Sequence, residues 1–113
     1  MGKKQIAAEE GSAAIASADT PLAVRYLLQL IEKRFPGGAV ELRVPPYGAI
    51  QCISGIDHRR GTPPNVIEMA PEVFLELCLG KLKWESALSK GKVLASGALA
   101  NDAAKLFPVQ LAN

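Results

Sequence analysis

The chain has little of what most catalytic chemistry needs. Its 113 residues include one histidine, His58, and two cysteines, Cys52 and Cys78. No CxxC, HExxH, glycine-rich phosphate loop or Gly-x-Ser-x-Gly elbow occurs. A lone histidine and two separated cysteines do not build a metal cage. Cys78 with His58 would be the one conceivable nucleophile–base pair, but Cys78 falls in an apolar helical stripe where a thiol is inert. No catalytic residue, metal or cofactor is therefore expected, and the chain does not read as an enzyme. Charge of one sign is scarce too. The net charge is +2 with a pI near 8.6, and no charge block occurs. Nucleic-acid binders carry a clustered basic face, so no nucleic-acid partner is expected. Lys81, Lys83, Lys90 and Lys92 gather around a predicted turn as a solvated rim, which leaves at most peripheral contact with an anionic membrane. No apolar run approaches the roughly 18 residues that a bilayer requires. Met1–Glu10 has no apolar stretch of signal-peptide length, and the closing Leu111-Ala112-Asn113 is not a peroxisomal tripeptide. A reducing bacterial cytoplasm is the expected compartment, with both cysteines reduced and a single disulfide left open.

What is present is enough apolar side chain for one core. Hydrophobic residues make up 49% of the chain and charged residues 21%. A chain of this length buries about two-thirds of its unfolded surface and forms one domain. Residues 1–19 read as a flexible or partly helical segment, with a short helix around Lys3 to Glu10 interrupted at Gly11-Ser12. Residues 20–113 read as the folded domain. Thr20 is the expected cap of its first helix, with Pro21 in the first turn. Val24, Leu27, Leu28 and Ile31 follow at i, i+3, i+4, i+7, one apolar stripe. Pro36-Gly37-Gly38 ends it. Val40 to Val44 alternates, which marks a strand with one buried and one wet face. Gly48 permits a turn into a returning strand, Ala49 to Ile53, and a third strand spans Val66 to Met69. These three strands are expected to run antiparallel in succession. A helix from Pro71 to about Leu79 stops at Gly80. A shorter helix, Trp84 to Ser89, stops at Gly91. Val93 to Ser96 is a fourth strand, and Asn101 to Leu106 a last helical piece before Pro108.

Two segments carry a resemblance. Phe74-Leu75-Glu76-Leu77-Cys78-Leu79-Gly80-Lys81-Leu82-Lys83-Trp84, followed by Gly91-Lys92-Val93 and Ser96-Gly97, resembles the sterol carrier protein family. That pattern runs from an aromatic-leucine helix through a Gly-Lys turn, a second helix, another Gly-Lys turn and a strand ending in glycine. Upstream, Val40-Glu41-Leu42-Arg43-Val44-Pro45-Pro46 and Arg60-Gly61-Thr62-Pro63-Pro64-Asn65 look like a short bacterial, actinobacterial-type branch of it. The resemblance covers about Thr20 to Val109. It implies an α+β fold, a twisted and mainly antiparallel sheet with helices packed on one face. In better-known members an apolar cavity between sheet and helices takes sterols, fatty acyl chains or phospholipids. This chain departs from them in being short at both ends, in having no organelle-targeting tail, and in an aromatic content of 5%.

The expected ligand is thus a fatty acyl chain or phospholipid, carried without catalysis. Its pocket would be Ile50, Ile53, Ile67, Met69, Phe74, Leu77, Cys78, Leu82, Trp84 and Leu88, although the same residues read more readily as close-packed core than as an open cavity. His58, Arg59 and Arg60 form the sharpest polar feature. They are either a cationic lip for a carboxylate or phosphate head or a solvated loop. The other reading is a protein-interaction or dimerisation module with a closed core, for which a sheet edge would offer a homodimer surface.

Overall fold

The structure is a computed structural model that describes residues 5–55 and 65–111. Helices α1 (Ala8–Ala16) and α2 (Thr20–Arg34) lead into strands β1 (Val40–Val44), β2 (Gly48–Cys52) and β3 (Asn65–Met69). Helices α3 (Pro71–Cys78) and α4 (Trp84–Ser89), strand β4 (Val93–Ser96) and a 3-10 helix (Ala100–Leu106) follow. The element types and most boundaries match the periodicity of the sequence. The helical stops do as well: Gly80 and Gly91 sit at φ 77° and 70°, the left-handed region that closes a helix at little steric cost with glycine.

The strands form one sheet in the order β2-β1-β3-β4. The β1–β2 and β3–β4 pairs are antiparallel, but β1 and β3 are parallel. This corrects the expectation of three successive antiparallel strands. β3 does run opposite to β2, but it lies on the far side of β1 rather than beside β2. The twelve residues 53–64 separate β2 from β3, a length that suits a connection crossing to the other flank, whereas a two-residue hairpin would force the neighbours together. The sheet remains mainly antiparallel.

One face of the sheet is covered and the other is wet. Val40, Leu42 and Val44 on β1, Ile50 and Cys52 on β2, and Ile67 and Met69 on β3 are all buried. They pack with Val24, Leu27, Leu28 and Ile31 of α2 and Phe74, Leu77 and Cys78 of α3 in one cluster. Each fully buried aliphatic side chain of this kind contributes about 1.5–3 kcal/mol. The alternate residues Glu41, Arg43 and Glu68 face water. Arg43 Nε donates to Glu41 at 3.0 Å, and its Nη1 lies 3.9 Å from Glu68; exposed pairs like these contribute little to stability.

Two local details differ from expectation. Asp19, not Thr20, caps α2, its Oδ1 accepting from the Leu22 amide at 3.4 Å while Thr20 lies inside the first turn. Helix α1 runs straight through Gly11-Ser12 instead of breaking there. Gly11 is buried against the ring of Tyr26, and a Cβ at this position would overlap that ring. The glycine is therefore a contact surface for α2, which outweighs its roughly 1 kcal/mol helix penalty relative to alanine.

Asn65, the first residue of β3, is the only buried polar side chain among the described residues. Its Nδ2 donates to the Ala39 carbonyl at 2.8 Å and its Oδ1 accepts from the Leu99 amide at 2.8 Å. Replacing Asn65 by leucine keeps the number and branching of its heavy atoms but orphans both backbone groups, each at about 1–3 kcal/mol. Asn65→Leu is therefore expected to lower the urea midpoint strongly, whereas Asn101→Leu, at an exposed position, serves as the control. An unchanged midpoint would show that the two bonds are dispensable.

Candidate functional site

The ten apolar residues expected to line a pocket do come together, but as packed interior. Ile67, Phe74, Leu77 and Cys78 are fully buried, Ile50, Ile53, Met69 and Trp84 nearly so, and Leu82 and Leu88 are half-buried on the margin. The C-terminal segment seals them. The Phe107 ring stacks on Trp84 with centroids 6.0 Å apart and meets Phe74 edge-on at 6.2 Å. The Val109 amide donates to the Cys78 carbonyl at 2.9 Å. Trp84 thus staples α4 and the chain end to the core, and presents almost no surface. His58, Arg59 and Arg60 lie outside the described residues.

A different concavity opens at the β2 edge of the sheet. It has a volume of about 590 Å³ and is bounded by the segment before α1, one face of α2, and the start of β2. Its apolar wall is Ile6, Leu22, Leu28, Tyr47 and Ile50, and its polar rim Gln5, Glu10, Arg25, Gln29 and Glu32. The volume falls in the roughly 300–1,000 Å³ range of small-molecule sites. The α2 contribution follows from helical spacing, because Leu22, Arg25, Gln29 and Glu32 recur every three or four residues on one flank of the buried stripe.

One side chain fixes the outer wall. The Gln29 side-chain amide both accepts from the Ile6 amide, at 2.8 Å, and donates to the Ile6 carbonyl, at 2.9 Å. It pairs with the backbone as a neighbouring strand would, and so holds an extended segment alongside a helix. The floor is set by close packing: a Cβ on Gly48 would come within 3.1 Å of Leu28 Cδ1, so glycine lets β2 start directly against α2. Of the ten residues expected to line a pocket, Ile50 alone reaches this wall. The groove had no sequence signal of its own. Gln29 and Arg25 read simply as the wet face of α2, and residues 5–10 lay outside the expected domain.

The sequence matches the bacterial SCP ortholog family over residues 16–109. The chain belongs to that family. Among solved structures, Sterol Carrier Protein 2 Like 2 from Aedes aegypti is similar over 75% of this chain and 94% of its own, with 16% identity and a TM-score of 0.48. No curated protein matches.

Within this SCP-family fold the two cysteines are interior residues. Cys52 and Cys78 are free thiols with no exposed surface. Burial pushes the Cys52 thiol up to about 11, reinforced by the nearby charge of Glu32 and partly opposed by Lys105. Burial alone pushes Cys78 well above the ordinary range. Among the described residues no group of histidine, cysteine, aspartate and glutamate side chains has the arrangement of a metal site.

These thiols predict two outcomes. A two-unit rise lowers the thiolate fraction of Cys52 roughly a hundredfold at neutral pH, so iodoacetamide should label the native protein far more slowly than the urea-unfolded chain. Stability should also fall on the alkaline side. Between the ordinary thiol range and pH 11 the unfolded chain gives up these protons and the folded chain keeps them, so the stabilisation present below that window is lost as pH rises through it. Urea melts of the wild type and the Cys52→Ala/Cys78→Ala double variant at pH 8 and pH 10.5 isolate the effect. A smaller pH decrement in the variant is expected, and equal decrements would remove the thiols from the account.

Proposed function

We propose that the protein is a non-catalytic carrier of an apolar ligand, a fatty acyl chain or phospholipid tail, held in the groove between residues 5–10, α2 and β2. The observation that carries this reading is an apolar-walled groove of about 590 Å³ on a member of the bacterial SCP ortholog family. The nine other residues of the sequence-derived pocket would act behind it as rigid support, with Ile50 as the shared wall. Release from a surface groove needs no opening of the core, which suits a carrier. No helix of the described residues is long and apolar enough to cross a membrane, so contact with a bilayer would be peripheral.

Native mass spectrometry of protein purified gently from its source, followed by organic extraction, tests the reading. A bound lipid of defined mass is the expected result. A clean apo spectrum that stays clean after incubation with phospholipid vesicles would sink it. Leu77→Arg places a charge at a fully buried site and is expected to unfold the protein rather than to spare the fold and block uptake.

A second reading, an interaction or dimerisation module, has one observation in its favour. Leu94 on the edge strand β4 is 70% exposed, the one large hydrophobic so open among the described residues. Light scattering of the wild type and Leu94→Asp would support that reading if a dimer formed by the first dissociated in the second.

A further inference from the structure

The outer wall of the groove is held at a single point. Gln5 and Ile6 lead into α1, and among the described residues the only hydrogen bonds that tie them to the rest of the chain are the two between Ile6 and Gln29. Just beyond them the chain is anchored. Ala7 is extended, with φ −69° and ψ 152°, and stands at the start of α1. That helix is fixed to α2 through Gly11, buried against the Tyr26 ring, and through buried Ala14. Gln5 and Ile6 therefore make a strap with a hinge at Ala7 and one clasp, the Gln29 amide. Ile6 is half-buried and lines the groove, so lifting the strap removes one apolar wall while α2 and β2 stay in place. A long acyl chain enters a walled groove end-on but an opened one along its length.

We propose that Gln29 is a positioning residue that gates ligand exchange. The strap is closed against α2 at rest, opens at Ala7 to admit or release the ligand, and is closed again by the paired bonds. The inference rests on the carrier reading above and adds how its site loads and unloads. Loss of the clasp weakens the closed strap in the free and the loaded protein alike. Association and release then both quicken while their ratio changes little, because the clasp does not discriminate between the two states. A residue that only touched the ligand would instead act on release alone.

Stopped-flow fluorescence with a lysophosphatidylcholine carrying a pyrenyl acyl chain measures both rates, and a titration gives Kd. Its zwitterionic head keeps one charge state between pH 4 and pH 7.5. Gln29→Met keeps a side chain of similar length without the paired polar atoms. It is expected to raise association and release each by about tenfold or more, and to move Kd by less than about threefold. Gln29→Glu makes the test chemical. At pH 7.5 its carboxylate can only accept and faces the Ile6 carbonyl, so exchange should be as fast as in Gln29→Met. At pH 4, below the ordinary glutamate value of about 4.3, the carboxyl group has an O–H to donate and can make both bonds. Exchange should then slow to within about threefold of the wild type. The ionisable groups that line the groove, Glu10, Arg25, Glu32 and Tyr47, are common to all three proteins, so the wild type at both pH values removes their contribution. Unchanged rates in Gln29→Met, or a Gln29→Glu protein that does not slow at pH 4, would overturn the gate and leave the carrier reading intact. A higher Kd with an unchanged association rate would also overturn it and make Gln29 a ligand contact. Wild-type protein that binds none of the probe would overturn the carrier reading, and the gate with it.

Discussion

The side-chain amide of Asn65 is the constraint on which most of the fold depends. It sits at the first position of β3, opposite Val40 in the parallel ladder, and it bonds on one side to Ala39 and on the other to Leu99. The first bond fixes where β3 begins against β1. The second fixes the turn that starts the 3-10 helix. Leu106 and Phe107 are placed by that helix, and Phe107 closes over Trp84 and Phe74. A buried amide with both functions satisfied rigidifies its surroundings, while one left half-satisfied is costly. The parallel register and the C-terminal seal therefore share one side chain, although Asn65 and Leu99 are 34 positions apart in sequence.

Much of this architecture was legible, because the signals were local. Val40, Leu42 and Val44 alternate with Glu41 and Arg43, and the structure buries the first set and wets the second. Gly80 and Gly91 mark the helix ends that their backbone angles confirm. Two of the errors concern contacts between distant residues. Nothing in the local pattern of β3 says which flank of β1 it joins, so its parallel pairing was not readable. Gly11 looked like a helix breaker because its partner, Tyr26, is fifteen positions away and on another helix. Asp19 and Thr20 are both good cap residues, and only the backbone shows which one stands outside the helix.

The same distinction explains why the groove was not legible from pattern alone. Apolar periodicity identifies side chains that leave water. It does not say whether they face a cavity or one another. In a chain of this size nearly every large apolar residue is needed to close the core, and Phe107 and Val109 complete that closure over α3 and α4. A cavity among those ten residues would leave their walls without contacts, and roughly 24 cal/mol is lost for each Å³ of residual void. The groove at the β2 edge avoids this penalty because it lies outside the close-packed cluster, its wall adding Ile6 and Leu22 to the outer margin of the core residues Leu28 and Ile50. Gln29, an ordinary polar residue in a helical wheel, becomes a wall-former only once the backbone of Ile6 is beside it.

A carrier must bind and also release, and the two sites differ most in what release would demand. Opening the space between sheet and α3 would bring fully buried side chains, Ile67, Phe74 and Leu77 among them, into contact with water. In the groove proposed above, the outer wall is held more lightly. The segment around Ile6 is held by two hydrogen bonds from Gln29, each worth about 0.5–1.5 kcal/mol net. Segments held that lightly belong to the low-stability end of a protein, from which ligand gates are drawn. The tight packing beneath it is what makes such a gate useful. With α2 and β2 fixed by the core, displacement of residues 5–7 changes one wall and leaves the rest of the groove in shape.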